Sequence, residues 1–118
     1  INGSPSIAAN DLTLSCSQMP VNAFGFFLTS MTQGNVANPA GSQGILCLGG
    51  SIGRYSNSAQ SSGANGEVSL SIDLTTISTP NGPVAAIAGE TWNFQCWFRD
   101  ANPMVTSNFS DAISVTLL

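Results

Sequence analysis

Apolar and polar positions alternate with a period of two along most of this chain, the spacing of half-buried β-strands. Leu12, Leu14 and Cys16 alternate with Thr13 and Ser15. Val68, Leu70, Ile72 and Leu74 alternate with Glu67, Ser69, Ser71 and Asp73, and Ile113, Val115 and Leu117 with Ser114 and Thr116. Ala23–Thr29 and Gly44–Leu48 are more continuously apolar, as strands covered on both sides are. Between the runs, Asn65-Gly66 and Asn81-Gly82 signal turns, and Pro20, Pro39, Pro80, Pro83 and Pro103 break any helix. No window carries a helical stripe. The pattern predicts an all-β fold, a single antiparallel β-sandwich of Ig-like or jelly-roll type with roughly seven or eight strands. Its predicted core is Leu12, Leu14, Phe26, Val68, Leu70, Ile72, Leu74, Trp92, Phe94, Phe98, Ile113, Val115 and Leu117. Residues 1–10 read as a linker remnant ahead of one module spanning 11–118. Ser30–Gln43 and Ser56–Gly66 read as long loops.

Charge then removes whole classes of chemistry. The 118 residues hold six acids, two arginines (Arg54 and Arg99), no lysine and no histidine, for a net charge of −4. Without histidine there is no Ser-His-Asp or Cys-His pair and no imidazole ligand; without lysine there is no Schiff base. Two cations on an acidic chain give a nucleic-acid backbone almost nothing to bind. The apolar stretches, such as Val84–Ala88, are too short to span a bilayer. No charged segment followed by an apolar one opens the chain, so a signal peptide would lie outside it. Ser, Thr, Asn and Gln together make up 42 of the 118 residues. Such side chains solvate a surface without ion pairs and suit neutral, hydroxyl-rich ligands.

The segment Glu90–Asp100 concentrates the candidate chemistry, with both tryptophans. As a strand it sets Trp92, Phe94, Cys96 and Phe98 on a core face and Asn93, Gln95, Trp97 and Arg99 on the other. An indole can stack on the apolar face of a pyranose while amides and a guanidinium meet its hydroxyls. Tyr55 and Arg54 join this candidate ligand face if the Gly44–Tyr55 segment pairs nearby. The competing reading is that Trp97 packs beneath a loop and Arg99 pairs with Asp100, Asp111 or Glu90. Asp73, Asp100, Asn102 and Asp111 carry oxygens suited to calcium, but no loop of calcium-binding spacing arranges them. No metal, cofactor or catalytic group is expected. Of the three cysteines, Cys16 and Cys96 fall on core-phase positions and could approach across the sheets as a disulfide, leaving Cys47 a buried thiol; three reduced thiols is the alternative.

Four segments carry a resemblance: Asn22-Ala-Phe-Gly-Phe-Phe-Leu28; Gly41-Ser-Gln-Gly-Ile-Leu-Cys-Leu-Gly-Gly50 with Ile52-Gly-Arg-Tyr55; Gly89-Glu-Thr-Trp-Asn-Phe-Gln-Cys-Trp-Phe-Arg-Asp100; and Thr106-Ser-Asn-Phe-Ser-Asp-Ala-Ile-Ser-Val-Thr116. In this order they resemble a family of small all-β accessory modules near the C-termini of large secreted multidomain bacterial proteins. The resemblance implies an extracellular or cell-surface module of a larger protein, beside hydrolases, adhesion-like regions or repeats, and implies no catalytic residues. Cys47 falls in the family's Cys-Leu-Gly-Gly stretch, whereas Cys16 and Cys96 stand where small residues are commoner. The expected function is non-catalytic binding of a neutral polysaccharide or cell-surface glycan, with no nucleic-acid partner. The alternative is a sorting, adhesion or structural module that contacts protein or the cell envelope.

Overall fold

The computed structural model describes residues 4–37, 44–100, 106–110 and 112–118, without the side chains of Asp100 and Thr106. Among the described residues, ten strands, all paired antiparallel, and two short 3-10 turns make up the regular structure. They are β1 (Thr13–Cys16), β2 (Phe24–Ser30), β3 (Thr32–Ala37), β4 (Ile45–Gly49), β5 (Gly53–Arg54), β6 (Gln60–Ser61), β7 (Val68–Ser71), β8 (Thr91–Asp100), β9 (Thr106–Phe109) and β10 (Ile113–Thr116). The all-β expectation holds, and the arrangement is compatible with a sandwich. Among the described residues no helix is long and apolar enough to cross a membrane.

The larger sheet is built on β2 and β8, which pair from Gly25↔Phe98 to Ser30↔Asn93. Each shares its far edge between two partners. β5 and β6 lie along β2, while β10 pairs with residues 91–94 of β8 and β9 with residues 97–100. Ser110 closes the gap between β9 and β10: its N–H donates to the Cys96 carbonyl (2.9 Å) and its hydroxyl accepts from the Cys96 N–H (2.9 Å). The smaller sheet pairs β1 with β7, placing Leu14 opposite Leu70 and Cys16 opposite Val68.

Period-two alternation explains how the layers meet. Leu12, Leu14, Cys16, Val68, Ile72 and Leu74 face Phe27, Trp92, Phe94, Cys96, Phe98, Val115 and Leu117 in one buried cluster. Ile77 and Ala86 close it from the segment before β8, where Ile77 and Val84 form an isolated bridge. Burying each large side chain contributes about 1.5–3 kcal/mol, and this core holds the two layers together. Residues 4–10, expected to be a linker, are tied to the other end of the chain. Ile7 N–H donates to the Leu118 carbonyl (3.1 Å), and Leu118 N–H donates to that of Pro5 (3.0 Å).

Several expectations are corrected. Phe26, assigned to the core, lies on the opposite face of β2, because Phe27 is the residue that points inward. Ile113 is 37% exposed, at the end of the short β10, and Leu70 is only half-buried. Ser30–Gln43 is not a loop as far as it is described: it contains β3, which pairs with β4 through a register shift between Gln33 and Val36. Residues 38–43 lie outside the described set. Ser56–Gly66 carries both 3-10 turns and β6, and is held by buried Ser62. That hydroxyl accepts from Ala23 N–H (2.9 Å) and donates to the Pro20 carbonyl. The strand count exceeds the expected seven or eight chiefly because β5 and β6 are two-residue strands with no readable periodicity.

Candidate functional site

The outer face of the larger sheet carries the residues singled out from Glu90–Asp100. Paired residues in a ladder share a face, so the register sets Phe26 beside Trp97, Leu28 beside Gln95 and Ser30 beside Asn93. β5 adds Arg54 beside Leu28, β9 adds Phe109 beside Trp97 and β10 adds Ser114 beside Asn93. The structure divides this face in two.

One half is covered. The β3–β4 hairpin folds over Asn93 and Gln95, which are 2% and 1% exposed. Gln95 spends its whole amide on the chain: its carbonyl accepts from Cys47 N–H (2.9 Å), and its NH2 donates to the Ile45 and Ser110 carbonyls (2.9 and 2.7 Å). Asn93 donates to the Ser30 carbonyl (3.0 Å) and accepts from the Ser114 hydroxyl. Both were expected on a ligand face. Burial and internal bonding make them struts of the fold instead. Gly44 leads into β4 with φ +81, a left-handed conformation that favours glycine, and a Cβ there would displace the Asn108 side chain.

The other half is open. Trp97, Phe109 and Phe26 join Leu28, Leu46 of β4, Ile52 and Arg54 around a groove of ≈ 400 Å³. Phe26 and Trp97 lie 5.0 Å apart between centroids with their planes at 38°. The Arg99 guanidinium sits 5.3 Å from the Trp97 ring centroid, a cation–π contact that holds the charge over the indole. Phe24, on the same face of β2, is 62% exposed, and continuing the register by one residue places it beside Arg99. Gly53 anchors Arg54. A Cβ there would collide with the Ser78 carbonyl, so glycine lets the segment after β7 press onto β5, where the Ser78 hydroxyl donates to the Arg54 carbonyl (2.9 Å).

Of the six expected ligand-face residues, then, Trp97, Arg99 and Arg54 meet on the open half. Tyr55 does not join them. It packs against the core, its hydroxyl accepts from Ser78 N–H (3.4 Å), and burial pushes its pKa up. The alternation did not single out Phe24, Leu46, Ile52 and Phe109, and it put Phe26 in the core. The unbroken apolar run Phe24–Leu28 was the available signal, since apolar residues on both faces require something beyond the core on the second.

All three cysteines are thiols. Cys16 and Cys96 lie close across the two sheets, their Sγ atoms directed at the Ser17 and Trp97 carbonyls (4.0 and 3.7 Å); this proximity lowers the Cys16 pKa to about 7 and, with burial, pushes that of Cys96 upward. Cys47 lies apart on the covering hairpin and is half-buried rather than fully enclosed. Among the described residues, no cluster of three Cys, Asp or Glu side chains is arranged to hold a metal ion. Asn102 and Asp111 lie outside the described set.

A second groove of ≈ 440 Å³ runs beside β1 and β7, lined by Ser15, Ser17, Gln60, Asn65, Glu67 and Ser69 among others. It offers hydroxyls, amides and one acid but no aromatic plane. The aromatic groove is therefore the stronger candidate. No known family model matches the chain, and neither curated proteins nor solved structures provide a significant match.

Proposed function

We propose that the protein is a non-catalytic, carbohydrate-binding accessory module that receives a polysaccharide in the groove between Trp97, Phe26 and Arg54. One observation carries the reading. On a sheet face whose other half is roofed by its own hairpin, half-buried Trp97, Phe26 and Phe109 line an open groove, exposed Phe24 extends their face, and two guanidiniums flank them. Contiguous exposed apolar surface rimmed by polar groups marks a binding surface. Aromatic planes with flanking donors match the alternating apolar faces and hydroxyl edges of sugar rings. The sequence resemblance supports the setting: a secreted or cell-surface module of a larger bacterial protein.

The test is titration of the protein and Trp97→Ala against soluble and insoluble glycans, with melting curves alongside. Loss of the indole should remove about 1–3 kcal/mol of binding, by analogy with stacking of bases on aromatic side chains. A wild-type protein that binds no glycan would instead favour the sorting, adhesion or structural role.

A further inference from the structure

We infer that the polysaccharide is anionic, a uronate-containing chain whose carboxylates pair with Arg54 and Arg99 while its rings lie on the aromatic floor between them. The inference rests on the carbohydrate-binding reading and sharpens its ligand.

Placement of charge is the first argument. The chain has only two cationic side chains, and both stand on the same half of one sheet face. Arg54 and Arg99 are exposed, and neither forms an ion pair among the described residues. The four acids with described side chains lie elsewhere. Asp11 is bonded by Ser4 and Asp73 by Asn10 and Thr75, Glu90 accepts from Ile87 N–H, and Glu67 lines the other groove. The side chains of Asp100 and Asp111 are outside this set. In a protein of net charge −4, two unpaired guanidiniums beside one apolar groove make a local site for an anion.

The donors that remain give the second argument. Neutral sugars are read by fixed amides, and Asn93 and Gln95 are committed to the backbone. What the groove still offers is guanidinium, whose planar fork matches a carboxylate with two parallel bonds. Arg99 is already steadied by the Trp97 ring, so less freedom is lost when it engages.

Spacing is the third. Arg54 is two strands from Arg99 and opposite Leu28, four residues along β2 from Phe24. Strand geometry separates the two Cα atoms by about 16–17 Å. One small acid cannot reach both; a chain of linked rings bearing repeated carboxylates can.

Polygalacturonate, a neutral β-glucan and poly-glutamate are the probes, titrated against wild type, Arg54→Gln, Arg99→Gln, Arg99→Lys and Trp97→Ala. The expected result is binding of polygalacturonate alone, weakened about tenfold or more by either Arg→Gln change and less by Arg99→Lys. Binding should also fall several-fold as salt rises from about 0.05 to 0.5 M. If Arg99→Gln melts early, Arg54→Gln on the exposed short strand reads the same term. Equal binding of the neutral glucan, untouched by either Arg→Gln change, would overturn the inference and leave the carbohydrate reading standing. Equal binding of poly-glutamate, or no binding of either polysaccharide, would overturn both.

Discussion

Two stretches of β8, a few residues apart on one face, end in different states. Asn93 and Gln95 lie under the β3–β4 hairpin and hold it by hydrogen bonds; Trp97 and Arg99 stand at the edge of a groove with Phe26 and Phe109. Local alternation treats all four alike, as polar or amphipathic residues on the face away from the core. What separates them is a hairpin more than 40 residues upstream, and the reach of that hairpin fixes where the face is roofed. A polar side chain out of phase with the core is thus a strut where a second layer arrives. It is a candidate contact where none does.

The largest effect concerns the core side of the same strand. Oxidation by a small-molecule disulfide should bridge Cys16 to Cys96, transferring both thiol protons and two electrons to release two reduced thiols. Closing so long a loop should stabilise the protein by about 4–5 kcal/mol on the chain-entropy model. Cys47 should stay alkylatable. Non-reducing peptide mapping checks this, and a bridge from Cys47 would contradict the assigned geometry.

Next, Gln95→Ala should destabilise by about 3 kcal/mol, because Cys47 N–H and two carbonyls each lose a partner and every buried group left unpaired costs about 1–3 kcal/mol. Trp97→Ala should cost clearly less. Urea denaturation of the two variants compares the halves directly; equal losses would mean that Trp97 is a packing residue and that the open half is no site.

Smaller effects separate the two faces of β2. Thr29 is fully buried on the core side with a hydroxyl that finds no partner among the described residues, so Thr29→Val should gain about 1 kcal/mol. Ser30, on the covered side, donates to the Gly49 carbonyl and accepts from Thr32 N–H (3.0 Å), so Ser30→Ala should lose about 1 kcal/mol. Opposite signs from adjacent residues are the expected outcome of chemical denaturation.

The smallest effect is at the rim of the smaller sheet. Thr75 hydroxyl and N–H, with the Asn10 amide, bond the Asp73 carboxylate and lower its pKa from 3.8 to about 2. The stability this contributes is complete above the unfolded value near 3.8 and is lost as pH falls toward 2. Asp73→Asn should remove that part of the acid dependence of melting and leave neutral-pH ligand binding untouched.

Most of the fold was legible in the chain because strong alternation meets a single deep core. Trp92, Phe94, Cys96 and Phe98 point inward as their spacing requires. Short strands were not legible. β5 and β6 have two residues each, and β3, Thr-Gln-Gly-Asn-Val-Ala, lacks an apolar stripe since it pairs with one strand only and is largely exposed. The site was half legible for the same reason. Parity put Trp97 and Arg99 outside the core, but whether a side chain facing outward meets solvent or hairpin is a tertiary fact. Phe26 was misplaced because an unbroken apolar run hides its own parity, and Tyr55 because it follows a two-residue strand that shows none.

The most direct test is a chemical-shift map of the nitrogen-labelled protein during titration with a polygalacturonate oligosaccharide. The account predicts that the Trp97 indole N–H and the side-chain signals of Arg54 and Arg99 shift together and saturate at one concentration. The Gln95 and Asn93 amide groups should keep their positions. Shifts centred on those two amides, or on Ser15, Asn65 and Glu67 of the other groove, with Trp97 unmoved, would contradict it.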